Sequence, residues 1–382
     1  MKTIYLDHQA TTPTSASVIE AMRPFWSEKF GNPHSSEHIT GMIASRHVET
    51  AKRKIADCLY CEPDEIIFTS GATEANNFAI YSLCALSKKR SEKQVIISTI
   101  EHKCVIEAAR HWSDVFGLDL KFVEVDDEGY VKLSQLEDML KTPTLFCSIM
   151  TANNEIGTIQ NLDNLSATIN KSGALFHTDA AQALKASENI RITEHSDLAS
   201  FSGHKIGGPQ GIGCLYVSAH MQDNLSPLML GGGQQNGFRA GTLPLPLCIG
   251  LGQAFEDLGS LCYNDLRKLR DYLYQKLTSD LEGLILNGPS LEKRHASNLN
   301  VYFPGVRSSD LIASLQPTIA VSSGSACGSG NIEPSYVLRA ISNKFDRSRN
   351  SIRISVNSQI SFDEIHAAVE LIGIRYKSLL AE

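Results

Sequence analysis

From Glu65 onward the chain alternates short apolar runs with helical patterns, and few folds accept that alternation. The strand candidates are residues 66–70, 95–100, 121–125, 144–150, 175–178, 197–202 and 213–217. Short apolar runs between helices read as strands buried on both faces, with the helices as crossovers. The expected fold class is therefore α/β: a mainly parallel sheet of about seven strands flanked by helices. In such sheets ligands bind where the strands end.

The flanking segments read differently. Residues 1–14 form an extended arm that ends in Thr12-Pro13. Ala44, Val48, Ala51, Ile55 and Leu59 recur at helical spacing. One long helical segment is expected over 244–281. Beyond it come strand 298–303, helix 309–315, strand 319–322, helix 334–341, strand 351–356 and helix 361–380, a smaller α+β unit. The expected division is a large domain over 15–258 and a small one made of 1–14 plus 259–382. The 382 residues suffice for both cores. Residues 322–330 hold only Ser, Gly, Ala and Cys.

Composition narrows the function. The net charge is −7, from 35 basic and 42 acidic residues, which gives no overall attraction to nucleic acid or anionic membrane. No apolar run approaches the roughly 20 residues that span a bilayer. Met1-Lys2-Thr3-Ile4 opens no signal peptide. The nine cysteines are an odd number without framework spacing, as expected of reduced thiols in a cytoplasm. Cys58 and Cys61 form a CxxC with no second pair, so they read as packing thiols rather than metal ligands.

Four segments at strand ends carry chemistry. Ser70-Gly71-Ala72-Thr73-Glu74 puts small residues at a helix start, where backbone N–H groups cradle phosphate; alone, it is equally a helix cap. Glu101-His102-Lys103 offers an imidazole that stacks on a flat ligand or moves a proton, although a lone His is more often structural. Asp179, in His177-Thr178-Asp179-Ala180-Ala181-Gln182, ends a buried strand and wants a cation. A protonated pyridine nitrogen would serve, with Gln182 in reach of a ring substituent; a helix cap is the competing reading. Lys205, in Ser200-Phe201-Ser202-Gly203-His204-Lys205, is a candidate Schiff-base amine, with Ser202 and His204 beside it for phosphate. Together the four supply what pyridoxal phosphate needs.

With these motifs the chain resembles the class V aminotransferase-like, fold-type I pyridoxal-phosphate enzymes, and within them the cysteine desulfurases. The likeness runs from Tyr5-Leu6-Asp7 to the last helix. It includes Ala10-Thr11-Thr12-Pro13, Phe30-Gly31-Asn32-Pro33-His34-Ser35, Phe68-Thr69 before Ser70, Asn153-Asn154-Glu155-Ile156-Gly157, Arg239-Ala240-Gly241-Thr242-Leu243 and Ser322-Ser323-Gly324-Ser325-Ala326-Cys327. The resemblance implies that Lys205 carries the cofactor, His102 stacks on its ring, Asp179 pairs the pyridine nitrogen and Gln182 approaches the ring oxygen. Ala72, Thr73, Ser202 and His204 would hold the phosphate. Thr242 would reach a phosphate in the neighbouring subunit of a homodimer. Asn154, which also borders the cofactor, would clamp the carboxylate of L-cysteine with Arg353, and Asn32 would assist. Cys327, on a loop of about residues 322–333, would take the sulfur as a persulfide and leave alanine. No resident metal is implied, beyond Cys327 as a transient iron–sulfur ligand.

Three departures stand out. His8-Gln9 differs from many relatives, Gln235 stands where Glu is expected, and Gly328 stands where Thr or Ser is common. The chain also stops at Glu382, where relatives that feed iron–sulfur scaffolds often carry a longer tail. The acceptor protein is thus open between an iron–sulfur scaffold, a tRNA-thiolation enzyme and DNA phosphorothioation. Selenocysteine lyase or another class V reaction is one alternative. A non-catalytic sulfur-relay subunit is the other, and the intact Lys205, Asp179, His102 and Cys327 argue against it.

Overall fold

The computed structural model describes residues 3–324, 334–342 and 344–381. The central sheet has seven strands: β1 (Ile66–Thr69), β2 (Gln94–Ser98), β3 (Asp119–Val123), β4 (Thr144–Ser148), β5 (Leu175–Asp179), β6 (Leu198–Ser202) and β7 (Gly213–Val217). Their spatial order is β1-β7-β6-β5-β4-β2-β3. Every neighbouring pair is parallel except the two that β7 makes. The reversal has a local cause. Between β6 and β7 the chain turns tightly through Gly207 and Gly211, both at positive φ, instead of crossing back through a helix.

Both faces of this sheet are covered. Ile66 and Phe68 point into one core, and Ile67 between them points into the other. In β2, Ile96 faces the first core while Val95 and Ile97 face the second. Each such side chain contributes about 1.5–3 kcal/mol when fully buried. On the first face the helix Ile39–Leu59 buries Ala44, Val48, Ala51, Ile55 and Leu59. It lies against the helix Leu245–Asp257 at a close approach: a Cβ on Gly252 would sit 2.8 Å from Ala51 Cα.

The expected long helix over 244–281 is two helices, Leu245–Asp257 and Tyr263–Asp280. A 3-10 turn over Leu258–Ser260, with the poor helix former Gly259 at its centre, separates them. The later residues build an antiparallel sheet in the order Ser351–Ser355, Asn298–Tyr302, Ile285–Leu286. Its core includes Leu273, Val301, Ile354 and Ile365, together with Leu6 from the N-terminal arm. The arm enters through a two-residue parallel ladder, Ile4–Tyr5 on Ile319–Ala320.

The eight described cysteines are all free thiols. Burial pushes Cys58 up to about 11 and Cys61 up to about 12, as befits packing thiols. No helix among the described residues is long and apolar enough to cross a membrane.

Candidate functional site

The ends of β1, β2, β4, β5 and β6 open on one cavity of about 580 Å³. The arm adds Gln9, Ala10 and Thr11, and the smaller sheet adds Arg353. Among the residues singled out by sequence, Ala72, Thr73, His102, Asn154, Asp179 and Gln182 line this cavity. So do Ser202, His204, Lys205 and Arg353. Asn32 and Thr242 lie elsewhere and share an open pocket with Phe30 and Thr40. Cys327 lies outside the described residues, whereas Gly324 borders the cavity.

Lys205 closes the 3-10 turn Gly203–Lys205 that follows β6. Its Nζ donates to the backbone oxygens of Gln9 at 2.7 Å and Ala10 at 2.8 Å. His204 Nδ1 lies 3.1 Å from Thr11 Oγ1, and Thr12 Oγ1 donates to His204 O at 2.8 Å. Burial, and then the Lys205 charge, push His204 down to about 4. Its imidazole is therefore neutral near pH 7.

Asp179 ends β5 with 4% of its surface exposed. Its Oδ2 accepts from Asn76 Nδ2 at 2.8 Å and its Oδ1 from Ala181 N at 2.9 Å. Both donors are neutral. Glu101 supplies no counter-charge: it is fully buried, and burial followed by the Asp179 charge raises it well above the usual carboxylate range. A buried carboxylate so placed favours a cationic ligand.

His102 caps the helix Lys103–Phe116. Its Nδ1 accepts from Cys104 N at 3.2 Å and lies 3.0 Å from Cys104 Sγ. Asn76 Nδ2 is also 3.2 Å from that sulfur. A short hydrogen-bonded chain thus runs from His102 through Cys104 and Asn76 to Asp179.

The β1 end turns at Gly71, whose φ of +150° and ψ of −179° suit glycine alone. The helix Ala72–Ala85 starts there, and its first-turn N–H groups have no intrahelical acceptor. Glu74 holds this turn from behind. Its carboxylate accepts from Ser70 N at 2.7 Å and takes a two-pronged grip from Arg239, at 2.8 and 3.1 Å. Burial pushes Glu74 up, and the Arg239 and Ser70 hydrogen bonds more than reverse this, leaving it below its ordinary value.

Arg353 donates from Nη2 to Asp7 Oδ1 at 2.7 Å and from Nη1 to Asn154 O at 3.0 Å. Gln182 Nε2 donates to Gln9 O at 2.9 Å. Sequence reasoning assigned no role to Gln9, Asp7, Asn76 or Cys104. Gln9 acts through its backbone oxygen, which no side-chain pattern reveals. Asp7 lies 346 positions from its partner. Cys104, one step into a helix, carries the signal of an ordinary core thiol.

The cavity therefore offers the Lys205 amine, a buried Asp179 carboxylate with no cationic partner among the described residues, the two imidazoles of His102 and His204, and one helix start. Comparison with known proteins accords with that donor set. The profile of the family described as Aminotransferase class-V matches residues 4–367. The chain is 42% identical over 380 residues to a protein of Eremothecium gossypii named "Cysteine desulfurase, mitochondrial", covering 98% of this chain and 76% of that one. It is 40% identical over 384 residues to "Cysteine desulfurase IscS" of Rickettsia bellii, covering 98% and 92%. Among solved structures, a "NIFS-LIKE PROTEIN" superimposes with a TM-score of 0.89 at 33% identity, covering 99% of this chain and 100% of that one. A structure titled "SspA in complex with cysteine" does so with a TM-score of 0.81 at 33% identity, covering 93% and 99%.

Proposed function

We infer that this chain, which belongs to the aminotransferase class-V family, is a pyridoxal-phosphate-dependent cysteine desulfurase. The observation that carries the reading is the buried Asp179 carboxylate, met among the described residues by the neutral donors Asn76 and Ala181, on the wall of the cavity that the Lys205 amine also lines. Two relatives at about 40% identity over nearly the whole chain bear that name.

The residues fit the cofactor. Lys205 would hold it covalently, and Asp179 would answer the charge of its ring nitrogen. His102 would lie against the ring, with Gln182 and Asn154 at its edge. Ala72, Thr73, Ser202 and the neutral His204 would bind its phosphate as hydrogen-bond donors. When bound, pyridoxal phosphate supplies an electron sink for the substrate's α-carbon.

The chain's own groups then divide the work. Arg353 and Asn154 orient the L-cysteine carboxylate, and the Asp7 carboxylate holds the Arg353 fork in place; Asn32, in the separate pocket with Thr242, takes no part in this clamp within one chain. Lys205 Nζ takes the α-proton and returns it. The two backbone oxygens that hold Nζ keep it at the mouth of the arm. His102 takes the proton of a thiol. Cys327, as thiolate, attacks the substrate sulfur. The carbon–sulfur bond breaks, a sulfur–sulfur bond forms, and the products are L-alanine and a persulfide on Cys327.

A homodimer completes this reading. Thr242 and Asn32 line an open pocket beside a segment that exposes Trp26, Phe30, Ile39 and Met42. A second copy would cover that apolar surface and bring Thr242 to the partner's phosphate. The persulfide then passes to an acceptor protein in the cytoplasm, an iron–sulfur scaffold or a thiolation enzyme. The test is to incubate the cofactor-loaded chain with L-cysteine and quantify alanine and Cys327-bound sulfur by mass spectrometry. Matching amounts of both are expected. A loaded chain that yields neither overturns the substrate and directs the test to selenocysteine.

A further inference from the structure

Asp179 has a second way to meet a cation. A ring nitrogen of His102, Sγ of Cys104 and a carboxylate oxygen of Asp179 lie within 4.8 Å of one another. One nitrogen, one sulfur and one oxygen make a ligand set that zinc accepts in sites with three protein ligands and an open fourth position. Metal–ligand distances of about 2.0–2.3 Å put the ligand atoms of a tetrahedron about 3.3–3.6 Å apart. The 3.0 Å between His102 Nδ1 and Cys104 Sγ lies just below that spacing, and the 4.8 Å outer limit lies above it. Small side-chain rotations therefore suffice.

The surroundings are those of a metal site. Asn76 is fully buried and donates to both Asp179 Oδ2 and Cys104 Sγ, so it orients two ligands at once. Groups in that outer position tune metal affinity. His102 and Cys104 are only half-buried and both line the cavity, which supplies the entry path and room for a water at the fourth position.

We propose that, when the cavity holds no cofactor, His102, Cys104 and Asp179 bind one divalent ion of the zinc type, and that this ion competes with cofactor loading. Binding exchanges a proton for the metal: the Cys104 S–H bond breaks, a sulfur–metal bond forms and the proton leaves to solvent, with no change of oxidation state. The metal site stands on these three side chains alone. The competition rests on the pyridoxal-phosphate reading given above.

The test uses the cofactor-stripped full chain, freed of metal. It is titrated with Co²⁺, followed by its thiolate charge-transfer band, and with Zn²⁺ against a chromophoric chelator. One ion per chain with a thiolate band is expected. In Cys104→Ala and Cys104→Ser that band vanishes and affinity falls by more than about 100-fold, beyond the effect of losing an outer-shell group. Prior loading with pyridoxal phosphate abolishes the band, and prior Zn²⁺ slows cofactor uptake in the unaltered chain but not in Cys104→Ala. An unchanged band in both variants overturns the site. A full band in the loaded chain overturns the competition. Metal bound through Cys104 in a chain that never takes up pyridoxal phosphate overturns the cofactor reading and leaves the metal site standing.

Discussion

Gln235 grips the backbone of Phe68 from both sides: its Oε1 accepts from Phe68 N at 2.7 Å and its Nε2 donates to Phe68 O at 2.9 Å. Phe68 lies in β1, an outer strand of the central sheet. A side-chain amide thus stands in for a neighbouring strand, and the sheet edge is closed without one. Gln235 itself takes a left-handed conformation, φ 50°, to reach that peptide. The departure from Glu at this position has a physical meaning here, because an ionised carboxylate cannot donate to Phe68 O.

Gln235→Glu should therefore destabilise the chain. The loss is about 1–3 kcal/mol, the cost of leaving a buried carbonyl unpaired. Urea unfolding would show it as a lower midpoint at unchanged slope. A midpoint equal to that of the unaltered chain would rule out the edge-closing role.

The Asp7–Arg353 pair is nearly as exacting. Arg353 is buried, and Asp7 is its carboxylate partner at 2.7 Å. Asp7→Asn should cost about 1.5–3 kcal/mol, the range for hydrogen bonds to charged groups. If Arg353 meets the substrate carboxylate as proposed, it should also raise the KM for cysteine with little change in kcat, because that fork loses its anchor. A fall in kcat at constant KM would contradict this.

His177 gives a pH signature. It bridges Ser148 Oγ at 2.8 Å and Ser200 Oγ at 3.2 Å across three strands, and burial holds it down to about 3. The unfolded chain protonates this group near pH 6.5. Its contribution to stability is thus complete above about 6.5 and is lost as pH falls toward about 3, at about 1.4 kcal/mol per pH unit. Glu101 and Glu155, both raised by burial, act with the opposite sign. The difference between the unaltered chain and His177→Gln isolates the histidine: the variant should show a slope smaller by one proton over that window. Identical slopes in unfolding measurements across that range would sink the assignment.

Two active-site variants separate binding from sulfur transfer. Lys205→Ala should lose the visible absorbance of a lysine-held cofactor and form alanine at least about 10²–10⁴-fold more slowly, the usual worth of a placed proton carrier. Cys327→Ser should keep the absorbance and its response to cysteine, yet form alanine far more slowly and carry no persulfide. Normal turnover in the second variant would remove Cys327 from the reaction.

The sheet was legible in sequence because its strands are short, apolar and spaced by helices, and strand ends then pointed to His102, Asp179 and Lys205. The alternation of Ile66, Ile67 and Phe68 between two cores follows from the period of a strand. The break at Leu258–Ser260 was hidden because both flanking segments share one helical pattern. The groups that hold the site in place were hidden for another reason. Gln9 contributes a backbone oxygen, Asn76 is an amide inside an apolar helix, and Asp7 meets Arg353 only after the whole chain has folded. Local pattern carries no information about such long-range pairings.

The parallel ladder between Ile4–Tyr5 and Ile319–Ala320 sets an order of events during synthesis. A ribosome releases Lys205 and Asp179 when well over a hundred residues are still to come, so the amine and the carboxylate exist before their pocket does. The arm that receives Lys205 gains its docking strand only after residue 320 emerges, and Asp7 waits longer still for Arg353. The arm can therefore close over Lys205 only late in synthesis. A nascent chain halted short of residue 319 would carry Lys205 with no ladder to anchor the arm beside it.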